Sequence, residues 1–120
     1  AHLHDKILGA VSHLPHVAAF ALMNALADIR DRHIPSLDLA GHAGGGVRDT
    51  TRIAASSPEM WRDIFLWNRD NVVTFIEAYE RALSQLKQLI QTGDAAGIEK
   101  ELDRAKQERE KLSTRPTVSA

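Results

Sequence analysis

The sequence predicts an all-α protein of about five or six helices. Three observations carry this. Apolar residues recur every three to four positions over long segments, the spacing that lines one face of a helix. No segment alternates apolar and polar residues as a half-buried strand would. The seven glycines and four prolines gather at a few points and leave long stretches uninterrupted.

The first helix is predicted from about Asp5 to Arg32. Ile7, Leu8, Val11, Leu14, Ala18, Ala21, Leu22, Ala25, Leu26 and Ile29 keep helical spacing there. Pro15 stands inside it. Proline has no N–H and its ring clashes with the preceding turn, so a kink or break is expected near Ser12–Leu14. From Val17 to Ala27 the helix is apolar nearly all round, which calls for cover from neighbouring helices or a partner subunit.

His33 to Gly46 reads as a connection, because Pro35, Gly41 and the run Gly44-Gly45-Gly46 interrupt regular structure. Glycine permits such a path by reaching positive φ. A short helix follows from about Arg48 to Ala54. Ser56-Ser57-Pro58-Glu59 then marks a helix start: a serine cap, a proline at the first helical position, and an acid at the positive end of the dipole.

The next helical pattern runs from Pro58 to about Gln91, with a break near Asn68–Asp70. Val72, Ile76, Tyr79, Leu83, Leu86 and Ile90 are separated by steps of four and three in turn, a coiled-coil-like seam. Thr92-Gly93-Asp94 ends that helix and caps the next. The last helix is predicted from Asp94 to Leu112, with a thin apolar stripe of Ala95, Ile98, Leu102, Ala105 and Leu112. Glu101–Arg104 and Glu108–Lys111 lie at pairing distance on its charged faces. Residues 113–120 read as a loose tail.

At 120 residues the chain fits one domain. Its 15 basic and 16 acidic residues leave a net charge of −1. Nothing here attracts nucleic acid or an anionic membrane. The absence of cysteine excludes disulfides and thiolate metal sites and fits a reducing cytoplasm. The longest apolar run, Val17–Met23, is too short to span a bilayer, and the N-terminus lacks a signal-peptide pattern. The chain opens without a methionine, directly on a helical pattern, and reads as a fragment of a longer protein.

Several residues invite a chemical reading. His13 and His16 lie three apart with His4 upstream, and a His-x-x-His pair on a helix can hold zinc. No HExxH arrangement and no cysteine support that, and core or surface histidines are the plainer reading, so no metal is expected. The glycine run matches neither GxGxxG nor a P-loop, so it is not a nucleotide cradle. Asp49 and Arg52 are spaced for a helix-surface ion pair. Alternatively, Arg52 beside the glycine run can clamp a carboxylate through two parallel hydrogen bonds. Trp61 and Trp67 are core or interface residues. Ser12 and His16 have nucleophile–base spacing, but no third member of a triad is identifiable.

A wider set of residues carries a resemblance. His4-Asp5, then Val11-Ser12-His13-Leu14-Pro15-His16, then Gly44-Gly45-Gly46, then Asp49-Thr50-Thr51-Arg52-Ile53-Ala54, then Pro58-Glu59-Met60-Trp61-Arg62-Asp63-Ile64 and Asn68 follow in order. This closely resembles the C-terminal domain of prephenate and arogenate dehydrogenases, enzymes of tyrosine biosynthesis. The match is dense from His4 to about Asn71 and is mostly pattern from there to Arg109. The sequence departs from the family at Val47, where an aromatic residue is usual.

The resemblance implies a 6-phosphogluconate-dehydrogenase C-terminal-like helical fold in residues 1–112, intertwined as a homodimer. It implies an N-terminal Rossmann domain elsewhere in the full-length protein, which binds NAD or NADP and supplies the catalytic histidine. No catalytic residue and no bound cofactor are then expected in this chain. Arg52 is implied to grip a substrate carboxylate. His4 and His16 are implied to line the substrate pocket, and Gly45, Asp49 and Trp61 to lie near its mouth, some reaching in from the partner. The implied activity of the full-length enzyme is oxidative decarboxylation of prephenate or arogenate in the cytoplasm. Two other readings stand beside this one: a helical dimeric interaction module without activity, and a small metal-binding helical protein.

Overall fold

The structure, a computed structural model, describes residues 2–114. These form six helices, with no strand among the described residues. Helix α1 spans His2–His33, α2 Leu39–His42, and α3 Gly45–Thr51. A 3₁₀ turn at Arg52–Ala54 continues α3. Helix α4 spans Pro58–Trp67, α5 Arg69–Thr92 and α6 Ala95–Thr114. The chain divides into two compact units, Ala1–Ile76 and Glu77–Ala120.

In the first unit α1 is continuous but not uniform. It is α-helical over His2–Leu8, widens to a π-helix over Gly9–His13, and returns to α over Leu14–His33. The expected disturbance before Pro15 therefore takes the form of a one-turn π-bulge rather than a break. Pro15 cannot donate to the Val11 carbonyl and its ring crowds that turn. Widening the helix just upstream, where the Leu14 N–H reaches back to the Gly9 carbonyl, relieves the clash.

The C-terminal part of α1 packs against α3 and the 3₁₀ turn. The expected connection over residues 33–46 is more structured than the sequence suggested. It contains α2, and Gly45 and Gly46 are the first residues of α3. Gly44 sits before them in an extended conformation with φ −90°. Among the described residues only Gly93 has positive φ, so left-handed backbone is not the reason for the glycine run. The Arg48 guanidinium ties the segment together by donating to the Ala40 carbonyl at 2.9 Å.

Helix α4 begins as its sequence dictates. The Ser57 hydroxyl accepts from the Met60 N–H at 3.2 Å, with Pro58 at the first position. Its end at Trp67, with Asn68 before α5, places the break where expected.

Buried apolar side chains are few among the described residues: Ala19, Trp61 and Val72. Leu3, Ile7, Val11, Leu22 and Ile29 on α1, and Leu66, Trp67 and Val73 on α4 and α5, are exposed. By length and composition alone α1, 32 residues long with an 18-residue window of mean hydropathy 1.3, is long and apolar enough to cross a membrane. Its longest uninterrupted apolar run, Val17–Met23, is far shorter than that helix.

In the second unit the C-terminal part of α5 turns into α6 through Gly93, with φ 68°. The Asp94 N–H donates to the Leu89 carbonyl at 3.1 Å and the Gly93 N–H to the Ile90 carbonyl at 3.2 Å, the paired bonds of a Schellman cap. The Asp94 side chain then caps α6 by accepting from the Gly97 N–H at 2.9 Å. Arg104–Glu101 and Lys111–Glu108 pair at 3.3 and 3.1 Å. Helix α6 runs two residues beyond its expected end at Leu112. The rest of the predicted tail, 115–120, lies outside the described residues.

Candidate functional site

The first unit gathers a polar cluster around the π-bulge. His16 lies on the first turn after the bulge and its Nδ1 is 2.8 Å from the Ser12 carbonyl oxygen. A carbonyl only accepts, so Nδ1 carries the hydrogen, and in the neutral ring Nε2 keeps its lone pair. The His16 ring stacks on Trp61, with centroids 3.6 Å apart and planes 18° from parallel. Trp61 is buried by this stack, by a T-shaped contact with His13 at 6.0 Å, and by Phe65 at 5.5 Å.

His13 is buried with 5% exposure. Its Nδ1 lies 3.1 Å from Asn68 Nδ2, which also donates to the Asp5 carbonyl at 2.8 Å. The Asp5 carbonyl fixes which end of the Asn68 amide is nitrogen. The Asn68 oxygen in turn accepts from Asn71 Nδ2 at 2.9 Å. His13 Nδ1 therefore accepts, and its proton sits on Nε2. Burial holds the His13 pKa below the ordinary histidine value, the neighbouring His16 adds to this, and Asp5 works against it.

The residues singled out from sequence fall at three places. His16 and Trp61 are together in this cluster. Gly45, Asp49 and Arg52 lie on α3 and its 3₁₀ continuation, which pack on α1. Arg52 and Asp49 are exposed. The ion pair that their spacing allowed is not formed, and no ion pair or side-chain hydrogen bond ties Arg52 to another described residue. Gly45 is exposed, and a Cβ built there meets nothing within 4 Å.

His4 stands apart. It is exposed near the start of α1, twelve residues before His16 on one continuous helix, or about 18 Å along the axis at 1.5 Å per residue. The sequence reading missed Asn68 and His13 as organisers of the site. Both belong to the motif set, but their pairing spans 55 residues of chain. Among the described residues, no group of three or more His, Asp or Glu side chains is placed to hold a metal ion. Nor does any strand–glycine–helix unit fit a dinucleotide.

The arrangement can bind an anion through Arg52 and exchange hydrogen bonds through His16 Nε2. Comparison with known proteins gives the family of the chain. The family described as "Prephenate dehydrogenase, dimerization domain" matches residues 1–104. The chain belongs to that family. Prephenate dehydrogenase of Bacillus subtilis is 33% identical over 114 residues, covering 93% of this chain and 29% of the relative. Cyclohexadienyl dehydrogenase of Zymomonas mobilis is 32% identical, covering 76% of this chain and 30% of the relative.

Among solved structures, prephenate dehydrogenase from A. aeolicus in complex with hydroxyphenyl propionate and NAD+ superposes with a TM-score of 0.82 at 44% identity. That superposition covers 92% of this chain and 38% of the other. Synechocystis arogenate dehydrogenase gives 0.82 at 28% identity, covering 91% and 39%. The chain thus spans roughly a third of the length of these dehydrogenases. The all-helical architecture expected from the sequence is the one these dehydrogenases share over that span.

Proposed function

We propose that this chain is the dimerisation and substrate-binding part of an NAD- or NADP-dependent prephenate or arogenate dehydrogenase. The whole enzyme would oxidatively decarboxylate prephenate to 4-hydroxyphenylpyruvate, or arogenate to tyrosine, in the cytoplasm. The observation that carries the reading is the family match over residues 1–104. The guanidinium of Arg52, unpaired among the described residues on the element beside α1, supports it.

The roles follow from chemistry. The substrate is a dianion or a zwitterion, and a planar guanidinium without a carboxylate partner of its own is suited to grip one of its carboxylates. His16, fixed with its proton on Nδ1, offers Nε2 as an acceptor for a substrate hydroxyl. Trp61, buried under His16, acts by holding that ring rather than by offering its own face. Gly45 and Asp49 lie at the pocket mouth, where the open space over Gly45 leaves its backbone accessible. The nicotinamide cofactor supplies the oxidising chemistry when bound. Its residues and the catalytic histidine belong to a Rossmann domain of the full-length protein, and this chain alone neither binds the nucleotide tightly nor turns over.

The pocket is built from two subunits. His4 and His16 are about 18 Å apart on one helix, farther than a single ring bearing two short acid arms reaches. Both line one pocket only if different subunits contribute them. A homodimer also covers the exposed apolar residues of α1, α4 and α5, and an interface of roughly 2,000 Å² or more in total is expected. Sedimentation of the chain tests this: a dimer at micromolar concentration is expected, and a stable monomer would overturn the two-subunit pocket.

A further inference from the structure

Among the described residues, the side chain of one member of the cluster bonds only to other parts of that cluster. Asn68, between α4 and α5, is buried with 6% exposure. Its amide nitrogen has two hydrogens and two acceptors, the Asp5 carbonyl at 2.8 Å and His13 Nδ1 at 3.1 Å. Its oxygen takes the Asn71 amide at 2.9 Å. With all three positions used, the amide cannot flip without losing them together. Gly9 makes the approach possible, since a Cβ there would lie 3.2 Å from the Asn68 nitrogen and 3.1 Å from the Phe75 ring.

From these contacts we infer that Asn68 is a positioning residue: it locks His13 in the Nε2–H tautomer and, through the T-shaped contact of His13 with Trp61, sets the Trp61 face on which His16 is stacked. His16 is held in the opposite tautomer by the Ser12 carbonyl of the π-bulge. The two histidines, one helical turn apart, therefore differ in hydrogen-bonding character. One has a donor at Nε2 and the other an acceptor. Asn68 fixes the first, and the bulge fixes the second. The effect on substrate rests on the proposed pocket role of His16; the tautomer assignment does not.

The test has two arms. Nitrogen-15 NMR of the unmodified 120-residue chain, at a pH where histidines are neutral, reads the tautomers directly. His13 should show an unprotonated Nδ1 and His16 a protonated one. The near-isosteric Asn68→Asp cannot donate, so His13 Nδ1 should become protonated while His16 keeps its tautomer. In the full-length enzyme the same variant should raise KM for substrate about tenfold with a smaller change in kcat, as loss of ground-state positioning does.

A protonated His13 Nδ1 in the unmodified chain would overturn the proposal, and this arm needs no variant to fold. So would an unchanged His13 tautomer in Asn68→Asp. If the tautomer switches and KM does not move while His16→Ala raises it, the link from His13 to His16 is wrong and the pocket reading stands. If His16→Ala also leaves KM unchanged, the pocket reading itself fails and takes the positioning role with it.

Discussion

His16 lies face to face with Trp61, 3.6 Å between ring centroids, on the turn of α1 that follows the π-bulge. The contact joins α1 to α4, and it makes one buried aromatic responsible both for packing and for the orientation of the His16 ring.

Trp61→Ala should destabilise the chain by about 3–5 kcal/mol, the cost of emptying a buried aromatic site. Trp61→Phe keeps a ring under His16 and should cost less than half of that. Urea unfolding of the two variants checks the order. Equal losses would mean that area alone, and not the stack, matters at this position.

The His13 pKa is depressed in the folded chain, so the unfolded chain binds the proton more tightly. Stability from this group is complete above the ordinary histidine value of 6.5. It is lost as pH falls through that value toward the folded pKa. Unfolding free energy should therefore drop on acidification through this window, and His13→Gln should flatten the drop. Chemical denaturation as a function of pH is the check, and a stability that rises on acidification in the same window would contradict it.

Two glycines in helices should respond oppositely to alanine. At Gly9 the helical preference for alanine, about 1 kcal/mol, is set against crowding of Phe75 and the thrice-bonded Asn68 amide. Overpacking costs about 1–3 kcal/mol, so Gly9→Ala should be destabilising. At Gly46 a Cβ meets nothing within 4 Å, and Gly46→Ala should be neutral or stabilising by about 0.5 kcal/mol. Thermal unfolding of both variants separates the cases.

Most of the fold was legible because its punctuation is local. Pro15 announced a disturbance in α1, Ser57-Pro58 the start of α4, and Gly93-Asp94 the turn between α5 and α6, each acting within a few residues of itself. The glycine run misled, because its residues enter a helix with ordinary φ and only their open surroundings distinguish them. The residues proposed for the pocket were named only through the family motif, and their roles rest on it. No period or spacing reveals that the amide of Asn68 reaches His13 and Asp5 across the fold, since 55 and 63 residues separate them.

The central claim is that Arg52, exposed on its 3₁₀ turn with no carboxylate partner among the described residues, grips the substrate. Arg52→Ala in the full-length enzyme tests it most directly. A charge-assisted hydrogen bond to a carboxylate is worth about 1.5–3 kcal/mol, so KM should rise roughly ten- to a hundredfold. The melting temperature and the dimer should be unchanged, and lysine should restore only part of the loss. An unchanged KM with a lowered melting temperature would contradict the account and make Arg52 a structural residue.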